Sequence, residues 1–180
     1  MGFHSLSSEF YCRWYTGDDS GLDDDSLIFA LELMVASGYA QTVLYDREYP
    51  PEPAEWLSFC QQPKFLFFML YDAAQHVPIA IVWLEMCTST GAQRFVHFCS
   101  FKTGRREQFV AGGRALFAWV GEAAGIRQLI GVTPACYRHA LALVYDIGFS
   151  KVARLEKAVF CLGKNRDAIL TVSNLSTLRG

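Results

Sequence analysis

The segment from Phe101 to Leu116 reads F-K-T-G-R-R-E-Q-F-V-A-G-G-R-A-L and joins a predicted strand to a predicted helix. It has four basic residues and one acidic residue. Glycines let backbone N–H groups approach a ligand, and the first turn of a helix carries unpaired donors at the positive end of its dipole. The segment therefore predicts a phosphate or diphosphate site. A solvated basic loop, with glycines that serve only the geometry of the turn, is the alternative.

Hydrophobic periodicity around this segment predicts the element order β-α-α-β-β-β-α-β-α-β-β. Aromatic-rich and β-branched runs predict strands at 10–15, 64–72, 77–86, 94–101, 128–133, 150–154 and 167–173. Apolar residues at helical spacing predict helices that begin near Ser26, Ala54, Gly112 and Pro134. Asp24, Asp25 or Ser26 is expected to cap the first helix, and Gly38 to follow its end. No linker divides the pattern, so one α/β (α+β) domain is expected over residues 1–180.

The composition excludes several classes of protein. The chain is 52% hydrophobic, and 16 Lys and Arg residues nearly balance 18 Asp and Glu residues, which argues for a folded core and against a nucleic-acid surface. The longest apolar runs fall short of the roughly 18 residues of a membrane helix. Six cysteines lie far apart without a C-x-x-C pair, so free buried thiols are expected and no metal site. We therefore expect a cytoplasmic protein with neither a membrane nor a nucleic-acid partner.

Three segments, in order, resemble the GNAT superfamily of acyl-CoA N-acyltransferases. Residues 108–113 (Q-F-V-A-G-G) are similar to the family's pyrophosphate loop, Q/R-x-x-G-x-G/A, with Ala111 in place of the first glycine. Residues 140–149 (A-L-A-L-V-Y-D-I-G-F) are similar to the end of the family's fourth helix, A-x-x-L-Y/A-x-x-x-G-F. Residues 149–156 with 166–170 resemble the closing hairpin of the ribosomal-protein N-terminal acetyltransferases.

The resemblance implies a mixed, mostly antiparallel sheet whose fourth and fifth strands splay apart. The pantetheine arm of acetyl-CoA, the implied co-substrate, would lie along the exposed edge of the fourth strand, here residues 94–101. The implied cofactor contacts are Ser100, Phe101, Lys102, Arg105, Arg106, Gln108, Val110, Ala111, Gly112, Gly113 and Arg114. Backbone amides of residues 108–114 would hold the diphosphate, and the basic side chains would reach its oxygens.

Transfer of acetyl to an amine needs a base for the amine proton and an acid for the leaving thiolate. His97 is the predicted base, since an imidazole accepts protons near neutral pH, and Glu85 is a second candidate. A packed histidine and a solvated carboxylate are the structural alternatives. The family's tyrosine acid corresponds to Val144, with Tyr145 one position later, so Tyr145 is a candidate acid. Tyr137 replaces an asparagine that often begins this helix, and is a candidate donor.

Other interpretations stay open at this point. Cys99 shares a strand face with His97, which permits a hydrolase-like thiol–imidazole pair. Five aspartates between Asp18 and Asp25 either attract a cationic amine or form a soluble turn and a helix start. The expected function is acetyl transfer from acetyl-CoA to a small amine or a protein N-terminus. An inactive CoA-binding or structural module is the alternative, and a homodimer is a possible assembly.

Overall fold

A computed structural model describes residues 2–44 and 49–178 of the chain. Within these residues, one sheet has eight strands in the order β1-β2-β3-β4-β5-β6-β8-β7. The strands are β1 (Phe3–Ser5), β2 (Phe10–Trp14), β3 (Phe65–Asp72), β4 (Pro78–Met86), β5 (Gln93–Ser100), β6 (Gln128–Pro134), β7 (Ser150–Cys161) and β8 (Lys164–Asn174). The helices are α1 (Asp24–Ser37), α2 (Ala40–Val43), α3 (Pro53–Cys60), α4 (Arg106–Ala123) and α5 (Arg138–Ile147), and a 3₁₀ turn spans Leu175–Thr177.

The predicted order of elements is confirmed, with two additions besides the closing 3₁₀ turn. The three-residue strand β1 pairs with β2 at the edge of the sheet, and the one-turn helix α2 follows α1. Both are too short to produce a recognisable hydrophobic period. In the described part of the chain, β5 and β6 are the parallel pair and the other neighbouring strands are antiparallel. The expected mixed, mostly antiparallel sheet is therefore confirmed.

Helices cover both faces of the sheet. Helices α4 and α5 lie on one face, where Val82 of β4 and Phe117 of α4 belong to one buried cluster. Helices α1 and α3 lie on the other, where Ile81, Leu31 and Trp56 belong to a second cluster. Successive residues of a strand point to opposite faces, so a strand with two covered faces is a continuous apolar run. This explains why β3 and β4 lack polar alternation.

Helix α1 begins two residues earlier than predicted. Its cap is Asp23, whose Oδ1 accepts hydrogen bonds from Ser26 N (2.8 Å) and Ser26 Oγ (2.6 Å). The predicted cap at Asp24, Asp25 or Ser26 is therefore wrong, because the aspartate before them already satisfies the first-turn donors. Gly38 follows the helix with a φ of 74°, in the left-handed conformation predicted for it.

Two other aspartates of the acidic run, Asp18 and Asp24, have local structural partners. Asp18 accepts hydrogen bonds from the Ser20 amide (2.9 Å) and the Thr16 hydroxyl (2.9 Å), which closes a turn. Asp24 accepts a hydrogen bond from the Tyr15 hydroxyl (2.7 Å) and ties β2 to α1. These contacts agree with the structural interpretation of the acidic run, a turn and a helix start.

Helix α4 begins at Arg106, six residues before the predicted start at Gly112. Gln108 Oε1 accepts a hydrogen bond from the Arg105 amide (2.9 Å), which fixes the first turn. Phe109, only 1% exposed, belongs to the buried cluster beneath α4 and fixes that turn against the sheet. The segment that resembles a glycine-rich loop is therefore helical, with Ala111, Gly112 and Gly113 inside α4.

Strands β5 and β6 pair over three residues only. Gln93–Phe95 of β5 lies beside Gln128–Ile130 of β6, and no later β5–β6 pair occurs among the described residues. Strand β6 continues along β8 to Pro134, while β5 continues along β4 to Ser100. The two strands therefore diverge, as the resemblance implies, and leave an opening at the carboxyl end of β5.

Candidate functional site

A cleft of about 860 Å³ lies where β5 and β6 diverge. One wall is the end of β5, from Phe98 to Ser100, together with the loop that leads to α4. The opposite wall is the start of α5, with Tyr137 and Leu143. Because this part of β5 lacks a strand on the β6 side, backbone N–H and C=O groups along its free edge face the cleft. An extended ligand with amide groups can hydrogen-bond there as an added strand would.

The predicted cofactor contacts divide at the start of α4. Those that line the cleft are Ser100, Phe101, Lys102, Arg105 and Arg106. Those that do not are Gln108, Val110, Ala111, Gly112, Gly113 and Arg114. Gln108 and the later residues of the predicted set lie inside α4, where amides beyond the first turn donate along the helix.

The mouth of the cleft is positively charged. Lys102, Arg105 and Arg106 are all exposed there, and Arg106 also pairs with Asp146 of α5. The first N–H groups of α4 have no partner inside the helix and stand at the positive end of its dipole. Together the three cations and the helix start provide the donors that a diphosphate needs.

Two polar residues predicted to bind the cofactor have structural partners. Gln108 Nε2 donates a hydrogen bond to Asp72 Oδ2 (2.7 Å), and its Oε1 caps the start of α4. Arg114 donates from its guanidinium to the carbonyl oxygens of Asp146 (2.7 Å) and Ile147 (3.3 Å). Arg114 therefore caps the carboxyl end of α5, and Gln108 links α4 to β3.

The two glycines of α4 allow close packing. A methyl group on Gly112 would lie 2.8 Å from Leu70 Cδ2, so an alanine there would force the Leu70 side chain to shift. A methyl group on Gly113 would lie 3.7 Å from Ile147, an ordinary contact. Like Val110 and Ala111, both glycines lie within α4, where each amide donates to the carbonyl four residues earlier.

A second cavity, of about 210 Å³, lies on the face of the sheet that carries α1 and α3. Glu85 of β4 and His97 of β5 line it, together with Trp83. The His97 ring stacks on Trp83 with centroids 5.2 Å apart and planes 11° apart. His97 and Phe98 are neighbours in β5, so this pocket and the cleft meet along the same strand. Val43 of α2 lines both cavities.

Glu85 and His97 form a charged group at one end of the pocket. His97 Nε2 lies 3.6 Å from Glu85 Oε2, beyond an ordinary hydrogen bond, and Lys64 Nζ donates to Glu85 Oε1 at 2.8 Å. The neighbouring His97 and Lys64 together lower the pKa of Glu85 to about 2. A carboxylate with that pKa is a weak proton acceptor at neutral pH. Glu85 is therefore placed to stabilise a positive charge on Lys64 or on His97.

The two candidate tyrosines lie in different environments. Tyr137, at the start of α5, lines the cleft, and its hydroxyl oxygen accepts a hydrogen bond from Cys161 Sγ (3.1 Å). Burial raises the pKa of Tyr137, so the hydroxyl keeps its proton at neutral pH. Tyr145 is 41% exposed and does not line the cleft, while Val144 beside it is buried. The structure therefore brings Tyr137, not Tyr145, to the cleft.

The thiol of Cys99 gives no support to the hydrolase interpretation. Cys99 Sγ donates to the carbonyl oxygen of Ser100 (3.6 Å), and burial raises the pKa of the thiol to about 12. A nucleophilic cysteine needs a thiolate, which this environment disfavours at neutral pH. His97, the proposed partner in such a pair, stacks on Trp83 and contacts Glu85 instead.

Sequence reasoning missed several residues of the two cavities. Val43 and Phe59 line the pocket, and His139 lines the cleft, without any motif around them. Trp56 lies in the predicted helix that begins near Ala54, but helical spacing does not show that it borders an open space. Lys64 precedes β3 and offered no signal until the strand register placed it beside Glu85.

Two further findings concern metals and membranes. Over residues 2–44 and 49–178, no three His, Cys, Asp or Glu side chains come close enough to hold a metal ion. None of the helices in the same residues combines the length and the apolar character that crossing a membrane requires.

The architecture closely matches several solved structures. A spermidine N-acetyltransferase from Vibrio cholerae, in complex with CoA and spermine, aligns over 97% of this chain and 100% of its own, with a TM-score of 0.77 and 14% identity. RimL, a ribosomal L7/L12 α-N-protein acetyltransferase in complex with coenzyme A, aligns over 96% and 97%, with a TM-score of 0.76 and 10% identity. The chain has the fold of the GNAT acetyltransferases.

A third GNAT structure agrees with these two. The ribosomal-protein-S5-alanine acetyltransferase from Vibrio fischeri aligns over 96% of both chains, with a TM-score of 0.71 and 12% identity. No protein-family model matches the sequence, and no curated protein matches it either. At 10% to 15% identity these similarities establish the GNAT fold, and the chemistry has to be argued from the residues of the two cavities.

Proposed function

We propose that the chain is an N-acetyltransferase that moves an acetyl group directly from acetyl-CoA to an amine. The observation that carries this proposal is the cleft between β5 and β6, which joins a free strand edge to a cluster of cations. The structural neighbours support it, since one is a complex with CoA and spermine and another a complex with coenzyme A. Acetyl-CoA would supply the thioester, and the chain's own residues would bind it and move protons.

Binding of the cofactor would use two features of the cleft. Lys102, Arg105 and Arg106, with the first amides of α4, would hold the diphosphate. The free edge of β5 would hydrogen-bond the amides of the pantetheine arm. This arrangement moves the anion site from the turn at Gly112, expected from sequence, to the start of α4 at Arg106.

His97 would take the proton from the attacking amine on the pocket side of β5. When His97 is protonated, Glu85 lies 3.6 Å away and remains ionised, so it stabilises the imidazolium. Stacking on Trp83 fixes the ring, which keeps Nε2 directed towards the carboxylate. Glu85 is thus a positioning residue and His97 the base.

Tyr137 would donate a proton to the leaving thiolate on the cleft side. Its hydroxyl accepts from Cys161 and keeps its own proton free to donate. Like other tyrosines, Tyr137 carries its proton at neutral pH and can therefore give it to the thiolate. The base and the acid would therefore act from opposite sides of the opening beside β5.

The test of this function begins with cofactor binding. Calorimetry should give micromolar affinity for CoA, and the double variant Lys102→Glu/Arg105→Glu should lose at least about 100-fold, because each charged hydrogen bond contributes about 1.5–3 kcal/mol. The matched control, Lys151→Glu/Lys164→Glu, makes the same charge change at exposed positions of the β7–β8 hairpin and should bind normally. If both double variants bind CoA with equal affinity, the cleft is not the CoA site.

Turnover separates an enzyme from a binding module. Release of free thiol from acetyl-CoA is measured with a panel of amines that includes a polyamine, a peptide with a free N-terminus and simple monoamines. Amine-dependent release supports the transferase. Normal CoA binding without acetylation of any amine would favour the alternative, a GNAT-fold module that binds CoA without turnover.

A homodimer remains part of the proposal. Strand β7 is at one edge of the sheet and exposes Val152 and Phe160. A spermidine N-acetyltransferase among the structural neighbours forms a dodecamer, which supports self-association as a property to test. Light scattering across a range of concentrations gives the mass directly, and a monomer at every concentration would exclude the dimer.

A further inference from the structure

The pocket beside His97 has walls made of aromatic rings. Trp56 and Phe59 from α3 meet Phe65 from β3 and Trp83 from β4 around about 210 Å³ of space. The rings support one another, with centroids 4.4 Å apart for Phe59 and Phe65 and 5.9 Å apart for Trp56 and Trp83. Trp56 Nε1 donates to the carbonyl oxygen of Leu27 (2.8 Å), so the indole N–H is satisfied. These rings form the apolar part of the pocket wall, and Glu55, Lys64, Glu85 and His97 form the polar part.

The size of the pocket limits what it can hold. A dry apolar cavity of about 150 Å³ is large enough to bind benzene. The observed space exceeds that by roughly the volume of a short alkyl chain. A six-membered ring with a two-carbon arm would fill it, whereas a protein segment would have to remain largely outside.

The polar part of the pocket wall has two carboxylates, Glu55 and Glu85, and one ammonium group, Lys64. Glu85 is ionised, but Lys64 Nζ already binds one of its oxygens at 2.8 Å, and the other oxygen faces His97. The same ammonium group lies 4.7 Å from the centroid of the Phe65 ring and occupies the cation–π position there. The carboxylates favour a cationic amine next to His97. Because the space is about 210 Å³, the body attached to that amine has to be compact.

We propose that this pocket binds the acceptor substrate and that the acceptor is a primary monoamine with a compact aromatic body, of the arylalkylamine class. The ring packs against Trp56, Phe59 and Phe65, and the amine nitrogen lies beside His97. In the reaction the nitrogen lone pair forms a bond to the acyl carbon, the carbon–sulfur bond of acetyl-CoA breaks, and His97 takes the amine proton. The role of this amine as acceptor rests on the proposed acetyl transfer. Binding of the amine in the pocket is independent of that function and is tested separately.

The first experiment compares acceptors with the unmodified protein. At saturating acetyl-CoA, 2-phenylethylamine should have a kcat/KM at least tenfold higher than spermidine and than a peptide with a free N-terminal alanine. A higher value for spermidine or for the peptide overturns the substrate class while leaving the transferase function intact.

The second experiment measures binding without turnover. Since Trp56 and Trp83 line the pocket, 2-phenylethylamine should change the tryptophan fluorescence of the protein in the presence of CoA. The change should saturate, and the affinity obtained from it should be higher than the affinity for spermidine. Binding without acetylation supports the pocket and rejects the transferase. Acetylation of other amines with no binding of 2-phenylethylamine rejects the pocket and keeps the transferase.

Variants of one helix locate the binding. Phe59→Ala removes one wall of the pocket and should lower the affinity for 2-phenylethylamine at least tenfold. Phe59→Leu should recover part of that affinity. Leu57→Ala is the matched control, since Leu57 is a partly buried residue of the same helix that does not line the pocket. Normal CoA binding by each variant shows that it is folded. Unchanged amine affinity in Phe59→Ala overturns the proposal, as does an equal loss in Leu57→Ala.

Discussion

The cleft and the pocket lie on either side of β5 and are built in opposite ways. The cleft is formed by backbone ends, a free strand edge and a helix start, with three cations from residues 102–106. The pocket is formed by side chains from α2, α3, β3, β4 and β5, which are distant in sequence. A site made of consecutive residues leaves a local pattern in the sequence. A site that depends on strand register and helix packing leaves none, and this is why only the cleft was anticipated as a unit.

The largest expected effect is on the pocket side. His97→Ala should lower kcat with an amine acceptor by about 10²–10⁴-fold, the range for loss of a general base, while CoA affinity stays within about twofold. Steady-state kinetics with calorimetry measure both. His76→Ala, which changes a histidine in the β3–β4 connection, is the control and should leave kcat unchanged. Full activity in His97→Ala would show that His97 is not the base and only packs against Trp83.

The cleft side has a matched pair of tyrosines. Tyr137→Phe removes the hydroxyl that faces the cleft and should lower kcat by about 10²-fold, near the lower end of the range for a general acid. Tyr145→Phe removes an exposed hydroxyl and should change kcat less than twofold. The same rate assay decides between them. A greater loss in Tyr145→Phe would mean that α5 turns differently when acetyl-CoA is bound.

A smaller effect tests whether the glycines of α4 pack or bind. Gly112→Ala places a methyl group 2.8 Å from Leu70 Cδ2 and should lower the free energy of unfolding by about 1–3 kcal/mol, with CoA affinity unchanged. Gly113→Ala meets Ile147 at 3.7 Å and should be neutral or slightly stabilising, because alanine favours the helix. Denaturant unfolding and calorimetry give the two quantities. Weaker CoA binding by folded Gly112→Ala would favour the loop expected from the family pattern.

Particular residues show how far the sequence could predict this molecule. The strands and helices followed from period and from caps such as Gly38, because these are local effects. The predicted start of α4 was six residues too late, because the packing of Phe109 into the core sets where the helix begins. The low pKa of Glu85 was not predictable either, because it depends on Lys64, which reaches Glu85 only through the pairing of β3 with β4. The local sequence pattern therefore predicts the strands and helices that carry the site. The chemical environment of its side chains depends on tertiary contacts.

The smallest expected effect concerns the charge at the end of the pocket. The pKa of Glu85 is about 2 in the folded protein, below its usual value, so its ionised form favours folding. That contribution is complete above the pKa of the unfolded chain, near 4.5, and is lost as the pH falls through about 2. Glu85→Gln removes it at every pH. The unfolding free energies of the two proteins, measured by denaturant titration, should therefore differ most at pH 6 and converge towards pH 2. Other carboxylates with lowered pKa values, such as Asp23, are common to both proteins and cancel in the difference. A difference that stays constant from pH 6 to pH 2 would show that Glu85 is not held by Lys64 and His97, and the pocket would then lack the fixed carboxylate that distinguishes it from the cleft.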